Sequence, residues 1–121
     1  MRLFALRGAN SVESNTRESI LGATAALMQE LLDRNQLGPD QLVSCIFTVT
    51  DDLDAEFPAV AARGIGLNAV PLICAREVPV PGSLPRVVRA LVHYHAAEDH
   101  HPRHVYLGET RVLRADLESA Q

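Results

Sequence analysis

The stretch LVSCIFTVT, residues 42–50, decides the fold, because its apolar and β-branched residues are typical of a strand buried in a sheet. Before it, apolar residues recur at steps of three and four over residues 20–32, which is the pattern of one buried helix face. Asn15 followed by Glu18 predicts where this helix begins, and a Gly-Pro breaker predicts that it ends near Asn35. A helix leading into a buried strand indicates a domain in which helices pack on a β-sheet.

The remaining segments predict further strands and helices on both sides of this pair. Short apolar runs alternate with turn residues, and a second amphipathic pattern places Arg89 on the polar flank of a helix. The order of these elements predicts an α+β domain, a mixed β-sheet with helices packed on it. The predicted elements are strands over residues 2–7 and 69–75, a short helix over 58–64, a helix over 84–95, and strands over 103–107 and 110–113.

Length, charge and cysteine content narrow the classes of function. At 121 residues the chain predicts a single domain, residues 1–121, with a flexible tail over about residues 115–121. A formal net charge of −4 argues against nucleic acid as a partner, since phosphate binding requires a basic face. Both cysteines lie in apolar runs and no apolar run reaches about 18 residues, so we expect a reduced, cytoplasmic protein with no membrane partner.

The most informative candidate site joins a thiol, a carboxylate and a guanidinium, from Cys74, Glu77 and Arg89. A Ser or Cys nucleophile needs a base and an orienting third group, and no such set stands at a recognisable spacing. Cys74 acting with a histidine, and Glu77 acting as a general acid or base, stay open as alternatives. All eleven basic residues are arginines, which grip carboxylates with two hydrogen bonds. Three of these arginines lie at the ends of predicted elements, where sites are commonly assembled; they are Arg7, Arg63 and Arg114. Their placement favours a site that binds an anion.

The five histidines all fall between His93 and His104 and raise the alternative of a metal site. His93 and His95 are two residues apart on a predicted helix, so their side chains point in different directions. His100 and His101 precede a proline in a polar turn, and no second group of ligands stands at a recognisable spacing. We therefore expect neither a metal nor a cofactor.

A series of short motifs runs through nearly the whole chain in a fixed order. The series consists of Arg7-Gly8-Ala9, Thr50-Asp51-Asp52-Leu53, Phe57-Pro58-Ala59, Arg63, Val70-Pro71, Cys74, Glu77, Arg89, Arg103-His104-Val105-Tyr106-Leu107 and Val112-Leu113-Arg114-Ala115-Asp116-Leu117. It resembles the monofunctional chorismate mutases of the trimeric, Bacillus-type class. Each motif is short, but so many in one order with near-constant spacing are not expected by chance.

This resemblance implies a homotrimeric pseudo-α/β-barrel with an active site at each subunit interface. The implied reaction is the cofactor-free Claisen rearrangement of chorismate to prephenate, in phenylalanine and tyrosine biosynthesis. One subunit would supply the catalytic residues, and its neighbour and the C-terminal segment would close the pocket. By the resemblance, the catalytic residues are Arg7, Cys74, Glu77 and Arg89, and the substrate-binding residues are Tyr106, Phe57, Ala59, Arg63, Ile73, Leu113 and Arg114.

Two positions and one segment depart from the family pattern. Val60 stands where relatives often carry lysine near the pocket mouth, and Ile73 stands where a hydroxyl residue can precede the cysteine. The segment 64–68 is about one residue shorter. These departures bear on substrate affinity more than on the reaction.

The chemistry of a pericyclic rearrangement agrees with the residues present. No proton is transferred and no enzyme adduct forms, so the missing base and nucleophile are expected. Arg89 would donate to the ether oxygen as the C–O bond breaks, and Glu77 with Cys74 would hold the ring hydroxyl. The alternative from another class is a non-catalytic trimeric sensor, which would bind a small carboxylate metabolite without converting it.

Overall fold

The computed structural model describes residues 1–113, so Arg114 and the predicted tail over residues 115–121 lie outside the described residues. Within that range the chain forms five strands, two α-helices and two short 3₁₀ helices. In order they are β1 (Arg2–Ser11), α1 (Arg17–Asn35), a 3₁₀ helix (Pro39–Gln41), β2 (Leu42–Val49), α2 (Ala59–Gly64), β3 (Leu72–Arg76), β4 (Val87–Ala96), β5 (Val105–Tyr106) and a 3₁₀ helix (Gly108–Arg111).

The five strands form one mixed sheet in the order β3-β2-β4-β1-β5. Strand β4 runs antiparallel to both of its neighbours, whereas the two outer pairs, β2 with β3 and β1 with β5, are parallel. Helix α1 packs across one face of this sheet. The predicted α+β arrangement, a mixed sheet with helices packed on it, is confirmed.

The apolar face predicted for α1 forms one side of the main core. Leu27, Met28 and Leu31 are almost fully buried and pack against the side chains of Phe47 and Tyr94 from the sheet. Burial of side chains of this size stabilises the fold by about 1.5–3 kcal/mol each. Helix and sheet thus depend on each other, as the sequence pattern predicted.

The start of α1 differs from the prediction by one residue. Thr16 is the N-cap, and its Oγ1 accepts a hydrogen bond from the backbone N–H of Ser19 at 3.2 Å. Asn15 instead contacts the loop after β2, where its Oδ1 accepts hydrogen bonds from the backbone N–H groups of Asp54 and Ala55 at 3.0 and 3.1 Å. Two residues with capping chemistry were adjacent, and a tertiary contact engages the first of them.

The helix predicted over residues 84–95 is wrong, because this segment is the central strand β4. From Val88 onward the buried residues alternate at every second position, as a strand requires; they are Val88, Ala90, Val92, Tyr94 and Ala96. The larger apolar residues also recur at steps of three and four, so periodicity alone does not separate helix from strand here. Hydrogen bonding to strands on both sides, together with β-branched valines, favours the extended form.

The predictions at the two ends of the described chain are partly wrong. The strand expected over residues 103–107 is limited to β5, and the segment expected as a strand over 110–113 begins as the 3₁₀ helix Gly108–Arg111. Gly108 has a positive φ of 55°, and a Cβ there would lie 2.2 Å from the Ser11 Oγ, so only glycine suits this reversal.

Strand β1 does not stop at Gly8 as predicted but continues to Ser11. Gly8 lies where α1 crosses the strand most closely, since a Cβ there would meet the Leu27 Cδ1 at 2.9 Å and the Leu31 Cδ1 at 3.1 Å. Its role is therefore close packing, not chain termination.

The sheet face opposite α1, called here the open face, carries the alternate residues of each strand. Along β1, Leu3 and Arg7 are exposed on this face, whereas Phe4 and Leu6 are buried beneath α1. None of the helices in residues 1–113 combines the length and apolar character needed to cross a membrane.

Candidate active site

Strand register brings the predicted site residues into two rows across the open face. In the first row Tyr106 lies beside Ala9, Ala9 beside Arg89, Arg89 beside Thr48, and Thr48 beside Ala75. Residues directly opposite each other on neighbouring strands point to the same side of a sheet. Tyr106 and Arg89 therefore lie on one face with only Ala9 between them, although 17 positions separate them in the chain.

The second row lies two residues away and contains two more predicted site residues. Arg7 is opposite Leu91, Leu91 is opposite Ile46, and Ile46 is opposite Ile73. Arg7 thus lies next to the first row and across the sheet from Ile73, whose side chain is 61% exposed. The open face consequently holds Arg7, Arg89, Tyr106 and Ile73 together.

Glu77 joins this group just beyond the end of β3. Its backbone N–H donates to the carbonyl of Val49 at 2.9 Å, which extends the pairing of β2 with β3 by one step. Its Oε1 lies 3.4 Å from the Arg89 Nε, and its Oε2 accepts a hydrogen bond from the Thr48 hydroxyl. The carboxylate is thereby fixed at both oxygens, and it orients the guanidinium beside it.

Arg89 lines two depressions of the open face. The first, called here the arginine cleft, has a volume of about 190 Å³ and is lined by Arg7, Thr48, Arg89 and Tyr106, among others. The second, about 460 Å³, is lined by Glu77, Asp52 and the loop from Val78 to Val87 as well as by Arg89. The Arg89 side chain is 44% exposed and that of Glu77 is 23% exposed, so both can reach a ligand.

Two guanidinium groups and a phenol around one cleft form a site for a carboxylate. Arginine binds carboxylates through paired N–H donors, and it stays charged at any ordinary pH. Glu77 partly balances the two positive charges and leaves an acceptor for a hydroxyl group. The arrangement can therefore hold a small anion that also carries a hydroxyl.

Cys74 is not brought into this group. It lies opposite Phe47 in the β2–β3 pairing and packs, partly buried, against the main core, on the side of the sheet that α1 covers. There it lines a cleft of about 380 Å³ with Phe57, Pro58 and Arg76, called here the Phe57 cleft. One chain therefore presents Arg89 and Cys74 to opposite sides of its sheet.

Three of the residues predicted to close the pocket lie on or near α2. Phe57 is 68% exposed just before this helix, and Arg63 is exposed in its last turn. Ala59 is buried at the start of the helix. Leu113, the last described residue, is half-buried, and Arg114 lies outside the described residues.

The open alternatives of a cysteine nucleophile and a metal site gain no support from the described residues. Cys74, the cysteine considered as a nucleophile, lies on the side of the sheet that α1 covers, and none of the histidine hydrogen bonds given below involves it. The other cysteine, Cys45, is a poor thiolate, because burial, with a smaller effect of Cys74, raises the pKa of its thiol to about 12. Three histidines form hydrogen bonds to groups that are neither cysteines nor metal ligands. His93 Nδ1 is 3.2 Å from the Ser44 hydroxyl, and His100 Nε2 is 2.7 Å from the Tyr94 hydroxyl. His104 Nδ1 accepts a hydrogen bond from the Arg7 backbone N–H at 3.0 Å. Across residues 1–113, no three His, Cys, Asp or Glu side chains are grouped to hold a metal ion.

Sequence reasoning missed Thr48 as a residue of the site. The strand over residues 42–50 was interpreted as buried, so its polar positions had no assigned direction. The signal was present, since Ser44, Ile46 and Thr48 alternate with the buried Cys45 and Phe47.

The sequence matches the profile of the family described as Chorismate mutase type I over residues 3–117. A protein named Chorismate mutase AroH from Thermus thermophilus is 52% identical over 118 residues, covering 96% of this chain and 97% of that protein. Another of the same name, from Bacillus subtilis (strain 168), is 38% identical over 120 residues, covering 97% and 94%. A solved structure, chorismate mutase from Clostridium thermocellum, matches with a TM-score of 0.87 and 43% identity, covering 90% of this chain and 98% of that one.

Proposed function

The chain belongs to the type I chorismate mutase family and its activity is that of a chorismate mutase, and we propose that Arg89 and Glu77, with Arg7 and Tyr106, form its active site. The reaction is the intramolecular Claisen rearrangement of chorismate to prephenate, a step of aromatic amino acid biosynthesis. The observation that carries the assignment of the site is the Arg89–Glu77 pair, 3.4 Å apart beside a cleft that also holds Arg7 and Tyr106.

Arg7 and Tyr106 bind and orient the substrate. Chorismate carries two carboxylates, and the Arg7 guanidinium with the Tyr106 phenol offers donors for one of them on the wall of the arginine cleft. Held in this way, the flexible side chain of the substrate is restricted to the compact conformer in which the new C–C bond can form. Restricting the conformers lowers the entropic part of the barrier.

Arg89 stabilises the charge that develops in the transition state. Negative charge grows on the ether oxygen as the C–O bond breaks, and a guanidinium already held in place meets it without reorganisation. Glu77 holds Arg89 on one side, and the Thr48 hydroxyl holds Glu77. Because the charge is larger in the transition state than in bound chorismate, this interaction raises kcat and not only affinity.

Glu77 has a second part in the reaction, because Arg89 and Thr48 do not use all of its acceptor capacity. A carboxylate can accept about four hydrogen bonds in total. The remaining capacity suits the ring hydroxyl of chorismate, and the negative charge of the carboxylate also offsets positive character in the ring.

We propose a homotrimer whose sites lie between subunits. The open face exposes apolar side chains that a neighbouring chain can cover, including Leu3, 54% exposed, and Ile73. Because Cys74 and Phe57 face the other side of the sheet from Arg89, residues of the Phe57 cleft are better placed to reach the arginine cleft of a second copy. The exposed Arg63 would also reach that second copy, whereas Ala59 is buried in its own chain at the start of α2. A cytoplasmic location, also proposed, is supported by the two free cysteines.

The activity is tested by following the ultraviolet absorbance of chorismate with the purified protein in the presence of a chelator. We expect chorismate to be consumed and prephenate to accumulate without an added metal or cofactor. Turnover that is absent with chelator and restored by zinc would contradict the cofactor-free reaction. Tight binding of chorismate with no change in its spectrum would instead indicate the sensor.

A further inference from the structure

His104 contacts the site from the edge of the sheet. Its Nδ1 accepts a hydrogen bond from the backbone N–H of Arg7 at 3.0 Å. The parallel pairing of β1 with β5 begins one residue later, at Gly8 and Val105. An imidazole therefore continues the ladder at the position where a backbone carbonyl would otherwise be needed.

The segment that carries His104 is anchored to the end of α1. Asn35 is buried there, and its Oδ1 accepts the backbone N–H of Arg103 at 2.8 Å. Its Nδ2 donates to the carbonyls of Leu31 and Arg103 at 2.8 and 3.0 Å. Both backbone groups of Arg103 are thus held by one side chain, and the residue that follows is fixed in place.

We propose that His104 is a positioning residue of the active site, an inference that rests on the proposed function. Its neutral imidazole holds the backbone of Arg7, from which the guanidinium extends into the arginine cleft. Two residues further on, Tyr106 enters the same cleft from β5. One histidine thereby couples the strand that carries Arg7 to the strand that carries Tyr106.

The hydrogen bond requires that Nδ1 carry no proton, so it depends on pH. Burial and then the positive charge of Arg7 lower the pKa of His104. Arg7 faces it from β1, Arg103 precedes it in its own segment, and α1 contributes the uncharged Asn35. Because the folded pKa lies below the unfolded value of about 6.5, the stability linked to this group is present above that pH. It is lost as the pH falls toward the lowered pKa.

The first test compares His104→Leu with His104→Asn, because an asparagine Oδ1 can replace the Nδ1 acceptor and leucine cannot. We expect His104→Leu to raise KM for chorismate about tenfold while kcat changes less than about twofold, since carboxylate binding is weakened in ground and transition states alike. His104→Asn should keep KM within about threefold of the wild type, as one hydrogen bond is retained. His101→Asn, the same change at an exposed position three residues away, is the matched control and should have no effect.

The second test separates positioning from simple stability. The KM of the wild type should stay constant down to about pH 6.5 and rise as the pH is lowered below that value, whereas the KM of His104→Asn should stay nearly constant, because the amide does not titrate. An unchanged KM in His104→Leu, or equal impairment in both variants, would overturn the inference.

Amide hydrogen exchange at Arg7 tests the contact without turnover. Exchange should be slower in the wild type and in His104→Asn than in His104→Leu. Equal exchange in all three would also overturn the inference. A wild-type protein that does not convert chorismate would overturn the proposed function instead, so the two failures are distinguishable.

Discussion

The two faces of the sheet are built from the same strands but meet different demands. On β2, Phe47 is fully buried beneath α1, while its neighbour Thr48 lies on the open face and holds Glu77. On β4, the buried Val88 precedes Arg89 in the same way. In each pair of consecutive residues, the first packs in the core and the second lies on the face that carries the candidate site.

This difference indicates that stability and catalysis can be changed separately in this protein. Side chains under α1 contribute mainly through burial, which is proportional to the apolar area removed from water. Side chains on the open face are partly exposed and contribute little to stability through charge pairs. Substitutions under α1 should therefore lower the free energy of unfolding and leave kcat nearly unchanged, whereas substitutions on the open face should do the reverse.

The largest effect is expected on the helix-covered face. Phe47→Ala should lower the free energy of unfolding by about 3–5 kcal/mol, because it removes a large buried ring and leaves a cavity. Urea titration at a fixed protein concentration measures the change. The kcat per folded molecule should stay close to that of the wild type, and a large loss of kcat would break the proposed separation of the faces.

On the open face, Arg89→Ala should lower kcat by about 10²–10³-fold, the cost of removing one preorganised donor from an oxyanion site. The unfolding transition should hardly move, since the side chain is 44% exposed. Steady-state turnover and thermal unfolding of the same preparation provide the two measurements.

Arg89→Lys is the matched control for that change. It keeps the charge but loses the planar pair of donors, so it should recover little of the activity. Near-normal turnover in Arg89→Ala would contradict the role assigned to this residue.

The smallest effect is expected for Thr48→Val, which preserves shape but removes the hydroxyl that holds Glu77. Loss of one hydrogen bond corresponds to about 1 kcal/mol, or roughly a fivefold decrease in kcat. Thr48→Ser keeps the hydroxyl and should retain activity in the same assay. If both variants behave alike, Glu77 does not depend on Thr48 and the open face is less tightly organised than its geometry indicates.

Much of the fold followed from local patterns in the chain. Helix α1 was predictable because its apolar residues repeat over several turns, which only a helix accommodates. Strand β4 was not, because ten residues rich in valine satisfy both periods and only pairing with β1 and β2 decides between them. Secondary structure that depends on distant partners is not encoded in the segment alone.

For the candidate site, the sequence paired Arg89 with Glu77 but did not predict the geometry around them. Arg89 and Glu77 were expected together and lie together, although Arg89 is on a strand and not on the predicted helix. Cys74 was expected beside them but faces the other side of the sheet, because the direction of a strand residue depends on the register of the whole sheet. The roles of these residues toward chorismate stay predictions until the variants are made.

The close approach of α1 to Gly8 has a consequence for how such a site can evolve. Arg7 points to the open face, where a change of side chain would alter what the proposed site binds without disturbing the helix. Its neighbour Gly8 has no such freedom, because any side chain there would meet Leu27 and Leu31. In a descendant of this chain, substitution of residue 7 could thus change which ligand is bound, while glycine is kept at position 8. Ligand preference can then change in evolution while the packing of helix on sheet is conserved.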